Sequence, residues 1–262
     1  MQALTLDPLC VDAFVILAKC SDDAEEKISY CKSAAKAFKQ RYGNNFIPEN
    51  DGNLGQIPEV LPFLTAMAVR AEALEKQKKF SESITTLKKI LQLDKKDVLD
   101  ARYKLAYIYI RTGQLQKAEE FINESDDEKA TPFAYALLLI HFLKGYERDE
   151  WAEELAYKAM SSNPCVLTYL NGAKRPPNIF DDQTLCMNDE KEAYLYTKEY
   201  GDLWLACPKA LNTLVKIHSK VAASILRERR KIQDAIDDLP RADIKAEKKP
   251  KCKKNGQMEL EL

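Results

Sequence analysis

Two histidines and seven cysteines are the residues of this 262-residue chain best suited to hold a metal or attack a substrate, and their spacing argues against both roles. Cys10, Cys20, Cys31, Cys165, Cys186, Cys207 and Cys252 contain no C-x-x-C pair, and only His141 and His218 stand ready to join them. A structural zinc site needs four ligands in short paired spacings, so no metal ligands are expected. The cysteines read instead as reduced structural thiols of an intracellular protein. Asp126-Asp127 and Asp181-Asp182 are adjacent carboxylates in turn-forming surroundings, and solvation accounts for both pairs. The patterns HExxH, GxSxG and GxGxxG and the phosphate-binding loop are missing. His141 sits in the apolar run FAYALLLIHFL and reads as a core or groove residue, His218 as a surface one. No catalytic residue, no cofactor and no enzymatic activity are expected.

What remains to explain is surface, and the elements that would position it repeat. In residues 101–122, Leu105, Ala106 and Tyr109 share one helical face, Gly113 marks a turn, and Leu115, Ala118 and Ile122 share a face of the next helix. This is similar to the tetratricopeptide pattern of large, small and aromatic positions. The same pattern returns one unit earlier at Phe80, Ser83, Leu87 and Leu91, and one unit later at Ala152, Ala159 and Pro164. Phe80 and Leu115 are 35 residues apart, Ala118 and Ala152 34. Ala106 and Ala118 suit close helix crossings, where a larger side chain would hold the backbones apart. Ala3, Leu4, Leu6, Asp7 and Pro8 read as the last turn of a second (B) helix, and Phe14, Leu17 and Ala18 open the next first (A) helix. Ala24, Ile28, Cys31, Ala35 and Phe38 predict a helix from Asp22 or Asp23 to Arg41.

The expected fold class is all-α: a tetratricopeptide-like helical-hairpin solenoid with C-terminal capping helices. Residues 1–42 form a partial repeat and hairpin, 63–170 the repeats. Residues 43–62, rich in Asn, Pro and Gly, read as an insertion loop, functional or mobile. Residues 171–239 comprise a Pro-rich linker and two capping helices, over 190–205 and 208–236. Residues 240–262 hold almost no large apolar side chain before their last positions and are expected to be a disordered basic tail.

Four local signatures add a resemblance. Leu6-Asp7-Pro8-Leu9-Cys10-Val11-Asp12-Ala13-Phe14 through Ala18 comes first, and Pro62-Phe63-Leu64-Thr65-Ala66 follows the insertion. Asn163-Pro164-Cys165-Val166 with Tyr169-Leu170 and Gly172-Ala173-Lys174 is the third; Asp189-Glu190, Glu192-Ala193, Tyr196, Trp204, Pro208 and Ala210-Leu211 form the fourth. In this order they resemble the C-terminal tetratricopeptide region of the suppression-of-tumorigenicity-seven family, over roughly residues 1–217. The chain departs from that family at Asn188 and Lys209, where many relatives carry Gly. The resemblance implies a scaffold-like role and no catalytic residues.

Helical-hairpin solenoids of this kind dock partners on the face lined by the A helices. The 34 to 35 residue register assigns that face to Thr65, Ala68, Glu72 and Glu75, then Asp100, Tyr103, Tyr107 and Ile110, then Ala134, Leu137, His141 and Lys144. The candidate partner-binding residues are therefore Glu72, Glu75, Asp100, Tyr103, Tyr107, Leu137 and His141. Tyrosine offers amphipathic contact area at little entropic cost. The Glu72, Glu75 and Asp100 cluster would favour a basic or neutral segment and repel a chaperone's C-terminal carboxylate, so no heat-shock carboxylate clamp is expected.

Composition narrows the partner further. Lys and Arg number 40 against 41 Asp and Glu, a formal charge of -1 that gives no overall pull toward nucleic acid or anionic lipid. Residues 132–143 are the longest apolar stretch, far short of the roughly 20 residues of a bilayer span, so no membrane span is expected. The first residues carry no secretory leader pattern. A protein or peptide partner in the cytoplasm is the favoured reading, and nucleic acid is disfavoured. The run Lys248-Lys249-Pro250-Lys251-Cys252-Lys253-Lys254 is a candidate nuclear-import signal or, more simply, a solubilising tail. The alternative is a structural component of a nucleic-acid-associated or ribonucleoprotein complex that uses this basic tail.

Overall fold

A computed structural model describes residues 2–127, 129–146, 150–175 and 189–237. The 240–262 tail, Asp181-Asp182, Cys186 and most of the Pro-rich connection lie outside the described residues. By backbone contacts the chain divides into Met1–Ala222 and Ala223–Leu262. The described part of the second unit is the end of one helix, with Arg227, Glu228, Arg230 and Lys231 exposed. The fold and site below belong to the first unit.

The chain is an all-α, tetratricopeptide-like solenoid. A short α1 (Gln2–Leu6) precedes a hairpin of α2 (Val11–Cys20) and α3 (Ala24–Tyr42). After α4 (Phe46–Glu49) come three further hairpins: α5 (Leu61–Lys76) with α6 (Phe80–Leu93), α7 (Ala101–Arg111) with α8 (Leu115–Asn123), and α9 (Thr131–Leu143) with α10 (Glu150–Ser162). A short α11 (Val166–Leu170), then α12 (Glu190–Leu205) and α13 (Pro208–Asp237), complete it. Among the described residues the only bridge is an isolated antiparallel pair, Asn53 with Asp94.

Local chemistry sets the helix ends. The Asp23 carboxylate accepts from the Glu25 amide at 3.0 Å, and Asp189 from the Glu192 amide at 2.7 Å, satisfying orphan donors at the starts of α3 and α12. Pro62 and Pro132 open α5 and α9, where a missing N–H costs nothing. The A helices α5, α7 and α9 end alike. Lys79, Gln114 and Tyr146 donate their amides to carbonyls five residues back, at Leu74, Tyr109 and His141, and the αL position before them is Lys78, Gly113 or Gly145. Glycine takes that conformation freely; Lys78 takes it at φ 59°.

The hairpins share a core built on small contacts. Ala106, Ala118, Ala152, Ala156 and Ala159 are fully buried, so the helices that carry them approach closely. α8 has nine residues where α6 has fourteen, and this shortens one unit. α9 consequently begins only 30 residues after α7.

The 43–62 segment differs from the loop its turn residues suggested. It contains α4 and two 3-10 turns, Leu54–Gln56 and Pro58–Val60, and it buries Leu54 and Val60 completely. Phe46 joins Phe38, whose ring stacks on Phe63 at 4.2 Å. A clip on the α6–α7 connection holds the far end. Lys95 N donates to the Gly52 carbonyl at 2.9 Å, and the buried Asp94 carboxylate accepts from Lys96 N and Val98 N. That carboxylate lies against Gly55 so closely that a Cβ there would fall 2.3 Å from it. The turn residues shape the path, and apolar burial fixes it.

Candidate partner-binding groove

α5 packs on α2, and α7 on α9, more closely than α5 does on α7, and clefts open along the side they present. One cleft of about 770 Å³ runs between α5, α7 and α12, lined by Glu72, Glu75, Lys104, Tyr107, Arg111 and Tyr200 among others. A second, of about 310 Å³, continues along α5 past Thr65, Ala68 and Val69 to Lys19 and Lys27. Glu72, Lys76 and Lys104 line both. Thr65, Ala68, Glu72 and Lys76 recur on one face of α5, and the small members of that set leave the floor open.

The rest of the expected docking wall is covered by the chain itself. α12 lays Tyr196, Tyr200 and Trp204 across α7 and α9. The Tyr107 ring stacks on Tyr200 at 3.7 Å and 13°, and the Tyr107 and Tyr196 hydroxyls lie 2.6 Å apart. The Tyr107 hydroxyl also donates to the Pro132 carbonyl at 2.9 Å, and Trp204 Nε1 donates to the Tyr196 hydroxyl at 2.9 Å. Burial pushes the Tyr107, Tyr196 and Tyr200 phenols well above the ordinary range, so all three stay neutral.

Charge pairs border this aromatic seam. Lys104 meets Glu72 of α5 and, at 3.6 Å, Glu199 of α12. Arg111 meets Glu75 at 3.0 Å and grips Asp202 with two nitrogens, one at 3.1 Å from Oδ1. Burial pulls the Lys104 ammonium down, but Glu72 and Glu199 outweigh it and leave it raised. The hydrogen bond to Asp202 raises Arg111. Burial raises the Glu75 carboxyl against the attraction of Arg111. Each pair is partly exposed and contributes about 0–1 kcal/mol, enough to set the position of α12 but not to hold it without the aromatic core.

The seven candidate residues fare differently in this geometry. Glu72, Glu75 and Tyr107 do share one cleft. Tyr107 is not open to a partner, being 2 % exposed beneath α12. Tyr103 turns away, donating its hydroxyl to Asp127 at 2.9 Å and packing edge-on against Phe133. Asp100 does not join the glutamates; it precedes α7 in the αL region at φ 54°, and burial followed by the neighbouring Asp97 raises its carboxyl. Asp97, not Asp100, supplies the capping carboxylate of α7, accepting from the Ala101 and Arg102 amides. The expected acidic wall is therefore absent: Glu72 and Glu75 are paired, and Asp100 stands elsewhere.

Leu137 and His141 are corrected for a different reason. The 34-residue step carries Tyr107 to His141, whereas the residue that meets α12 as Tyr107 does is Phe142, 35 residues on, and one residue turns a helix by about 100°. Leu137 lines a separate cleft with Ala134 and Leu155, and His141 is buried beside Tyr146, their rings 5.4 Å apart. Tyr135 and Phe142 take the side facing α12: Tyr135 packs on Tyr196 and Trp204, and Phe142 on Trp204. The sequence did contain the signal, since Phe80 and Leu115 recur at 35 residues, the step that carries Tyr107 to Phe142.

A and B helices alternate, buried alanines sit at their crossings, and αL turns close the hairpins. Residues 66–139 match the family model of the tetratricopeptide repeat. The match spans most of α5 through most of α9, the part in which the open clefts and the Lys104 and Arg111 pairs lie. Tetratricopeptide repeats generally mediate protein–protein interaction. Comparison with curated proteins and with solved structures returns no match. Among the described residues no helix is long and apolar enough to cross a membrane, and no three His, Cys, Asp or Glu side chains converge as metal ligands.

Proposed function

We propose that this chain is a non-catalytic protein-interaction scaffold that takes a segment of a partner protein into the open stretch of groove along α5. The observation that carries this reading is the continuous cleft from Lys19 to Lys104, floored by Thr65, Ala68 and Val69, beside an aromatic stretch of α7 and α9 that α12 already covers. Small floor residues admit a partner side chain, and the flanking A helix supplies a rigid wall. Tyr107 acts in this reading as a support for α12, and Glu72 as the shared border of the two sections. The four ordered signatures support placing the chain beside the suppression-of-tumorigenicity-seven family, and the thiol pattern supports a cytoplasmic or nuclear setting. A chaperone clamp remains disfavoured on residue type: Ala68, Glu72 and Tyr107 stand at positions comparable to those where such clamps use Lys, Asn and Arg.

Affinity purification tests the reading. Ala68→Trp fills the floor of the groove, and Glu82→Trp places the same bulk on the exposed side of α6 as a control. Partners captured by the native chain are expected to persist with Glu82→Trp and to disappear with Ala68→Trp. Identical partner sets on all three would exclude the groove.

A further inference from the structure

The charges lining the two joined clefts are unequal: seven side chains are Lys or Arg and four are Asp or Glu. Two of the seven, Lys104 and Arg111, engage all four carboxylates, Glu72, Glu75, Glu199 and Asp202. Lys19, Lys27, Lys76, Lys78 and Lys198 are left, and their ammonium groups make no hydrogen bond or ion pair among the described residues. A groove whose acids are all paired and whose lysines are not presents positive charge, whatever the net charge of the chain.

The chain also contains an example of what such a wall accepts. α12 brings Glu199 to Lys104, Asp202 to Arg111 and the Tyr200 ring to Tyr107, an acidic helix with an aromatic anchor seated on the A-helix side of α7. One section nearer the N-terminus, α5 offers the same geometry without an occupant. Lys19, Lys27 and Lys76 border a floor of Thr65, Ala68, Val69, Ala73 and Leu99.

We infer that this open section binds an acidic peptide segment of a partner protein, carboxylates on Lys19, Lys27 and Lys76 and one apolar side chain over Ala68. This rests on the groove reading above and adds the chemistry of the partner. It reverses the preference for a basic segment that unpaired Glu72 and Glu75 would have given. A peptide fits better than single-stranded nucleic acid because the floor is aliphatic and offers no ring on which a base could stack.

The test is selection from a random peptide library on the intact immobilised chain, with the selected peptides then measured by fluorescence anisotropy. Three forms are compared: native, Ala68→Trp, and the triple variant Lys19→Glu, Lys27→Glu, Lys76→Glu, with Thr65→Trp replacing Ala68→Trp if the latter does not fold. The expected result is enrichment of acidic peptides whose affinity falls at least about tenfold in the triple variant and is lost with Ala68→Trp. Binding should also weaken as salt rises from about 0.05 to 0.5 M, which shortens the Debye length roughly threefold. Neutral or basic peptides that Ala68→Trp abolishes and the triple variant leaves unchanged would overturn the acidic partner and keep the groove. No selected peptide, or peptides indifferent to Ala68→Trp, would overturn both. A uridine oligonucleotide that binds the native chain more tightly than every selected peptide, and is lost in the triple variant, would assign the lysines to nucleic acid instead.

Discussion

The two ends of the groove begin from the same helical-hairpin logic and reach opposite states. Along α7 and α9 the A-helix side carries Tyr107, Tyr135 and Phe142, large rings that water solvates poorly, and α12 covers them with Tyr196, Tyr200 and Trp204. Along α5 the corresponding side carries Thr65, Ala68 and Glu72, with little apolar area to bury, and it stays open. Covering a surface requires enough buried area to offset the entropy of fixing the cover. Aromatic residues meet that condition; alanine and threonine do not. A groove can thus be structural at one end and receptive at the other.

Substitutions at the covered end should be the most costly. Trp204 is fully buried against Tyr135 and Phe142, so Trp204→Ala is expected to destabilise the fold by about 3–5 kcal/mol in chemical denaturation. A loss under about 1 kcal/mol would mean that α12 is a dispensable cover and would erase the contrast. Tyr107→Phe keeps the ring on Tyr200 but removes the bond to the Pro132 carbonyl and the contact with the Tyr196 hydroxyl. The expected cost is about 1–2 kcal/mol in the same experiment.

Glu75 lies at the border and adds a sign. Because folding raises its pKa, the folded state holds that proton more tightly than the unfolded chain does. Its contribution is most favourable below the unfolded carboxyl value and is lost as pH rises through the folded one. Glu75→Gln should therefore leave stability at neutral pH unchanged or higher by less than about 1 kcal/mol, and should flatten the acid side of the stability profile. Arg111 keeps Asp202 in that variant. A marked loss at neutral pH would show that the Arg111 pair outweighs burial. At the open end Lys27→Ala and Lys76→Ala remove no hydrogen bond or ion pair within the fold, and stability is expected to hold within about 0.5 kcal/mol. Stability lost there would place those lysines in the structure rather than in recognition.

Much of the scaffold was legible because its rules are local. Asp23, Pro62, Pro132 and Asp189 mark helix starts through the hydrogen bonds a first turn lacks, and the 34–35 residue recurrence of Phe80 with Leu115 and Ala118 with Ala152 marks the hairpins. The site was legible only up to its first irregularity. Stepping 34 residues from Tyr103 and Tyr107 lands on Leu137 and His141, one residue short of the face that carries Phe142, and one residue turns a helix by about 100°. The insertion misled in another way: Gly52 and Gly55 are turn residues by type, yet Gly55 is glycine because the Asp94 carboxylate leaves no room for a Cβ.

The sequence by itself determined the paired helices of the repeats, and that they meet at close crossings, because capping, periodicity and side-chain size act within a few residues or recur at a fixed interval. Only the tertiary structure decided that α12 closes part of the groove, that Glu72 and Glu75 are spent on Lys104 and Arg111, and that lysines remain along α5. Those outcomes depend on residues as far apart as Arg111 and Asp202 meeting in space, and charge and burial act through distance, not through position in the chain.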